Sequence, residues 1–198
     1  FLLRERPSHS CEVGASFRTV ATNRQLRQLG SGFLFFRIDD PPVVPLIQKV
    51  ARTGKPMIIS TGMATVAELD ETVRTARAAG CVELVLLKCT STYPATASNT
   101  NILTIPHLRE MFGCEVGLSD HTMGVGVSVA SVALGASVIE KHFTLDRTMP
   151  GPDHQASLEP HELKAMVDAI RNVELALGDG VKRPSASELK NKPIARKS

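Results

Sequence analysis

Apolar residues along the chain fall in short, nearly continuous runs, each followed by a stretch in which they recur with helical spacing. Five runs read as strands: Phe33–Ile38, Pro56–Ser60, Glu83–Lys88, Glu115–Ser119 and Ser137–Phe143. None alternates strictly between apolar and polar residues, as expected of strands covered on both faces. The intervening segments predict helices: Val43–Arg52, closed by Gly54; Thr65–Ala79, closed by Gly80; one around Ile105–Phe112, stopped by Gly113; and Met123–Leu134. Thr65-Val66-Ala67-Glu68 has the form of a capping box, which satisfies two otherwise orphaned N–H groups at a helix start. A last helix follows Ser157-Leu158-Glu159-Pro160, with Leu163, Met166, Val167, Ile170, Val173 and Leu177 on one stripe and Gly178 at its end.

Strand starts near 33, 56, 83, 115 and 137 lie 22 to 32 residues apart, the period of a βα unit. The class is α/β, and the (β/α)8 TIM-barrel type fits better than a dinucleotide-binding sheet, because no phosphate-binding glycine fingerprint appears. About five βα units are visible, and 198 residues fall short of the roughly 250 typical of such a barrel. Either the expected barrel is incomplete in this chain, or residues 1–32 hold further strand that their pattern does not announce. The two open edges of an incomplete barrel need cover or a partner, which predicts self-association into a homo-oligomer.

The chain divides into a poorly patterned segment, 1–32, the βα units, 33–178, and a basic tail, 179–198, read as a solvated linker. Within 1–32, Gln25–Leu29 reads as a helix end stopped by Gly30. The net charge of +3, partly carried by the tail, and the single Tyr with no Trp argue against a nucleic-acid partner. Cys11, Cys81, Cys89 and Cys114 show no close pairing and read as reduced thiols. There is no apolar run of membrane-spanning length and no signal-peptide pattern, so a soluble cytoplasmic protein without membrane contact is expected.

Candidate chemistry collects between Gly117 and His154. The strands at 115–119 and 137–143 end in polar clusters that contain His121 and His142, and the helix between them makes the strands parallel. Both clusters then emerge at the carboxyl edge, where parallel α/β folds bind ligands. Alternation places Gly117, Ser119 and His121 on one face together with Val138, Glu140 and His142, while Val116, Leu118, Ile139 and Lys141 take the other. A lone histidine at a strand end reads as a cap. Two at matching ends, flanked by Asp120, Glu140 and Asp153, point to a divalent-metal pair whose neighbouring carboxylates orient the imidazoles. On residue type alone, Ser60 and Ser119 are strand-end hydrogen-bonding groups, Tyr93 packs a turn and Asp153 caps a loop.

The motifs KPMIISTGMAT (55–65), LKCTSTYP (87–94), GLSDHTMG (117–124), VIEKHFTLDRTMPGPDH (138–154) and SLEP (157–160) resemble, in order, those of the sialic acid synthase family. That family condenses phosphoenolpyruvate with an N-acylated amino sugar and releases phosphate. The N-acetylneuraminate and legionaminate branches are the nearer match through PGPDH. The resemblance implies a metal-dependent barrel followed by a small antifreeze-like domain that completes the partner's site in a dimer. It implies His121 and His142 as ligands for Mn2+ or Mg2+, Ser60 and Ser119 as phosphoenolpyruvate contacts, Ser91 at the place of an asparagine with that role, and Tyr93 and Asp153 as sugar contacts. Where members have a lysine-bearing strand followed by Ser-Gly and an acid, this chain has FFRIDDPP, with Arg37 near the lysine's place and Ser31-Gly32 out of register. The antifreeze-like domain is also missing from the pattern. Two alternatives stand beside the condensing enzyme. One is a Schiff-base aldolase using Lys88 or Lys141. The other is a catalytically impaired fragment or paralogue that binds only a ligand or a partner.

Overall fold

The structure is a computed structural model that describes residues 16–21, 34–37, 44–151 and 153–196. In chain order its elements are β1 (Ser16–Ala21), β2 (Leu34–Arg37), α1 (Val44–Ala51), β3 (Met57–Ser60), α2 (Val66–Ala78), β4 (Leu84–Cys89) and the short α3 (Ala97–Thr100). These are followed by α4 (Thr104–Phe112), β5 (Glu115–Asp120), α5 (Gly126–Ala133), β6 (Val138–Phe143), a 3-10 turn at His154–Ala156, α6 (Pro160–Ala176) and α7 (Ala186–Ala195). The five strands expected from the apolar runs are all present, with ends shifted by a residue or so. The Asp39–Pro42 break and the Gln25–Leu29 helix end lie outside the described residues.

The strands form one sheet in the order β1-β6-β5-β4-β3-β2. From β2 to β6 each strand pairs in parallel with its successor, so the sheet winds in one direction without the reversal of a dinucleotide-binding sheet. This is part of a TIM-barrel wall, incomplete as expected. Within the expected N-terminal segment, β1 pairs antiparallel to β6 and covers that edge. Its residues, SFRTVA, carry too little apolar pattern to announce a strand.

The core lies between the outer sheet face and the helices. Met57, Ile59, Leu86, Val116, Leu118 and Ile139 are wholly buried there against Ile47, Leu69, Val73, Ile105, Leu108, Met166 and Ile170. The opposite parity, Ile58, Val85, Leu87, Gly117 and Val138, lines the inner face and becomes polar towards the carboxyl edge. Gly117 is required there. A Cβ at that position would stand 2.3 Å from the Val138 carbonyl oxygen and 2.7 Å from Leu87 Cδ2.

Local signals explain most helix ends. Thr65 caps α2 in a complete capping box with Glu68, whose carboxylate accepts from the Thr65 N–H at 2.6 Å. Thr65→Ala should cost about 1 kcal/mol of stability, read from the shift of the urea midpoint at unchanged slope. Gly113 ends α4 at a φ of 56°, in the left-handed region. The expected linker contains α7, capped by the box of Ser185 and Glu188, with none of its residues buried. No helix of the described residues is long and apolar enough to cross a membrane.

Candidate active site

Four neighbouring strand ends build the site. The paired registers align Cys89 with Ser119 and Ser119 with Glu140, so these three residues form a row across β4, β5 and β6 on the inner face. Ser60 ends β3, Ser91 and Tyr93 follow β4, His121 follows β5, and His142 lies on β6. Ser119 Oγ donates to Glu140 Oε1 at 2.8 Å, which places both side chains on the same face.

The histidines and the tyrosine form a cluster of rings. The His121 and His142 centroids are 5.6 Å apart, and Tyr93 lies 4.1 Å from His121 and 5.7 Å from His142. Both imidazoles are buried, whereas Tyr93 is half exposed at the mouth, where the Tyr93–Pro94 peptide is cis. His121 Nδ1 lies 2.8 Å from the Thr90 carbonyl oxygen. A carbonyl only accepts, so Nδ1 carries a proton, and in the neutral ring Nε2 is the nitrogen left with a lone pair. Nε2 is 3.5 Å from Ser119 Oγ.

Cys89 sits at the centre of this surface. Burial disfavours its thiolate, but the His121 imidazole and the hydroxyls of Ser60 and Ser91 outweigh that cost and lower the thiol pKa. Conversely, burial pulls the His121 pKa down, but the Cys89 side chain, the Thr90 carbonyl and the negative charges of Cys89 and Glu140 outweigh it and raise the pKa above the ordinary imidazole value. Apart from their contact with the thiol, the buried Ser60 and Ser91 hydroxyls have no hydrogen-bond partner. Buried hydroxyls so sparsely bonded are rare and suit a ligand that brings its own acceptors. Cys81, Cys89 and Cys114 are free thiols among the described residues.

The candidates of outward parity, Asp120, Lys88 and Lys141, fall elsewhere. Asp120, expected to orient an imidazole from within the site, points to the helix side. Its Oδ1 accepts from the Thr122 N–H and Oγ1, each at 2.8 Å, and its Oδ2 accepts from Ser128 Oγ at 2.5 Å and Lys141 Nζ at 2.9 Å. Adjacency in sequence suggested a site role, but strand alternation puts Asp120 on the face opposite Ser119. Lys141 is equally buried and also donates to the Thr122 carbonyl at 2.6 Å, so its ammonium is spent behind the sheet. Lys88 has the same outward parity and is bonded to Thr90 Oγ1. Burial lowers the pKa of both lysines, a property Schiff-base lysines share, but neither amine reaches the inner face. Asp153 precedes the 3-10 turn, where its carbonyl accepts from Ser157 Oγ at 2.7 Å. Beside it, His154 is buried, with Nδ1 2.7 Å from Thr144 Oγ1.

Cys89, Thr90 and His154 escaped the sequence reading. For Cys89 a signal existed, since it shares the parity of Val85 and Leu87. Among the described residues, Glu159, His161 and Glu162 are the one trio of ligand atoms within 4.8 Å of one another. Glu159 and Glu162 are already engaged in the capping box of α6 and with Arg147, so that cluster is a helix start.

The sequence profile of the NeuB family matches residues 39–182. The chain belongs to the NeuB family. It is similar to the N,N'-diacetyllegionaminic acid synthase of Campylobacter jejuni, with 46% identity over 171 residues that cover 84% of this chain and 51% of that protein. It is also similar to the pseudaminic acid synthase of the same species, with 47% identity over 150 residues, 76% of this chain and 44% of that one. Among solved structures, N-acetylneuraminic acid synthetase from Leptospira borgpetersenii, crystallised with citrate, superposes with a TM-score of 0.75 at 32% identity, covering 87% of this chain and 61% of that one. A truncated 3-deoxy-D-arabino-heptulosonate 7-phosphate synthase from Thermotoga maritima has a TM-score of 0.65 at 20% identity and covers 77% and 62%, which shows a shared fold. This NeuB-family chain spans about half the length of the curated relatives it matches.

Proposed function

We propose that this chain carries the metal- and substrate-binding wall of a nonulosonic acid synthase, which joins phosphoenolpyruvate to an N-acylated amino sugar and releases phosphate. One observation carries the reading: in a NeuB-family fold, His121, His142 and Tyr93 meet within 6 Å at the carboxyl edge of parallel strands. Legionaminic and pseudaminic acid synthases match at 46% and 47% identity, so the acceptor is proposed at the level of an N-acylated amino sugar.

A divalent cation would be held by His121 Nε2 and His142, whose ring centroids lie 5.6 Å apart. Two imidazoles among oxygen groups suit Mn2+ better than Mg2+, which prefers an all-oxygen shell. When bound, the ion would supply Lewis acidity towards the acceptor's aldehyde oxygen. The chain's own residues hold the reactants. The Ser60 and Ser91 hydroxyls donate to phosphate or carboxylate oxygens of phosphoenolpyruvate, and Ser119 lies one strand away. Glu140 accepts from Ser119 and holds a negative charge next to His121. Tyr93 closes the mouth over the imidazoles, where its ring packs on the sugar, and Asp153 contributes a carboxylate from the following loop.

Serine hydroxyls alone bind a multiply charged phosphate weakly. Lys88 and Lys141 face away, so the cationic part of the phosphate site comes from outside the described inner face, in a dimer or a longer assembly. The test is phosphate release from phosphoenolpyruvate plus N-acetylmannosamine, combined with Mn2+ calorimetry. Mn2+ binding at one site, and release abolished by EDTA and restored by Mn2+, are the expected results. Binding without turnover supports the impaired-fragment reading, and absence of Mn2+ binding overturns the metal assignment.

A further inference from the structure

We infer that the buried Asp120–Lys141 ion pair is a positioning device that fixes the His121 imidazole from behind the sheet; its bearing on metal binding rests on the function proposed above. Both side chains are about 1% exposed, and they are register partners across β5 and β6. The described β5–β6 register runs from Leu118–Ile139 through Ser119–Glu140 to Asp120–Lys141, so the ion pair stands at its end. His121 is the next residue, and its carbonyl turns to the Ala95 N–H at 2.9 Å.

The pair grips the chain on both sides of that histidine. Asp120 precedes it, and Asp120 Oδ1 takes the Thr122 N–H while Lys141 Nζ takes the Thr122 carbonyl. Thr122 is therefore held at both backbone groups, and with Asp120 fixed the φ and ψ of His121 have little freedom. That backbone lets Nδ1 meet the Thr90 carbonyl, the contact that in the neutral ring leaves Nε2 unprotonated. On β6, Lys141 stands between Glu140 and His142, so the same bond ties the two histidine-bearing strands together.

An ion pair this dry contributes little net stability compared with well-packed neutral groups, whereas fixing a register or orientation is its better-attested use. Ser128, from α5, adds a third direction of restraint on Asp120.

The experiment compares the full chain with Lys141→Met, and with the neutral pair Asp120→Asn plus Lys141→Met, which leaves no uncompensated charge if the single change fails to fold. Nitrogen-15 imidazole spectra read the His121 tautomer, and the buried His154 serves as an internal control for folding. The parent is expected in the Nδ1–H form. The variants should mix tautomers at His121 with His154 unmoved, and Mn2+ affinity should fall roughly 10–100-fold, the effect of losing an outer-shell partner. Folded variants that keep the parent's His121 spectrum and Mn2+ affinity overturn the inference and leave the pair a purely structural one. If the parent binds no Mn2+, the metal reading fails, and the tautomer comparison still decides the positioning role.

Discussion

Replacing His121 or His142 by alanine is expected to abolish Mn2+ binding, lowering affinity by more than about 100-fold, beyond the range usual for an outer-shell change. The two rings are the proposed ligands, with centroids 5.6 Å apart, so loss of either leaves a single imidazole to hold the ion. The fold should survive. Both rings lie at the carboxyl edge, above the apolar layer of Ile58, Val85, Leu87 and Val138, and outside the helix-packed core. A stability loss within about 2 kcal/mol by urea titration is expected. Unchanged Mn2+ affinity in both folded variants would sink the ligand assignment.

The second large effect belongs to Gly117. An added methyl there meets a backbone carbonyl oxygen at 2.3 Å and a Leu87 methyl at 2.7 Å. The leucine can turn, but the Val138 oxygen belongs to the neighbouring strand and moves only if β5 and β6 separate. Gly117→Ala should therefore lose about 3 kcal/mol, at the upper end of core overpacking, and lower the thermal midpoint by roughly 6–12 °C. Because this residue lies two positions before Ser119, the variant should also weaken Mn2+ binding, although no metal donor has changed. Thermal unfolding within a degree of the parent would mean that the strands part easily, contrary to the packing described.

The strands were legible because both of their faces are covered, which writes them as nearly continuous apolar runs such as MIIS and LVLLKC. The helices were legible at their ends, where Thr65 with Glu68 and Gly113 meet definite backbone needs. The edge strand β1 was not, because an antiparallel partner on one side asks for no such run. The α7 helix was hidden by its basic composition, although Ser185 and Glu188 form the same kind of box as Thr65 and Glu68.

Within the candidate site, alternation placed Ser119, His121, Glu140 and His142 together and sent Lys141 to the other face, as the structure has them. Asp120 was misread because nearness in sequence to a histidine was given more weight than parity. The Thr90 carbonyl that sets the His121 tautomer could not be foreseen. It belongs to the loop after β4, and backbone acceptors leave no trace in residue type.

Sequential winding has an evolutionary corollary. Since β3 to β6 follow one another in the sheet as they do along the chain, every candidate donor from Ser60 to His142 is encoded in one uninterrupted stretch. A single recombination event on either side would carry the whole ensemble into a new protein, its spacing preserved by the strands that travel with it.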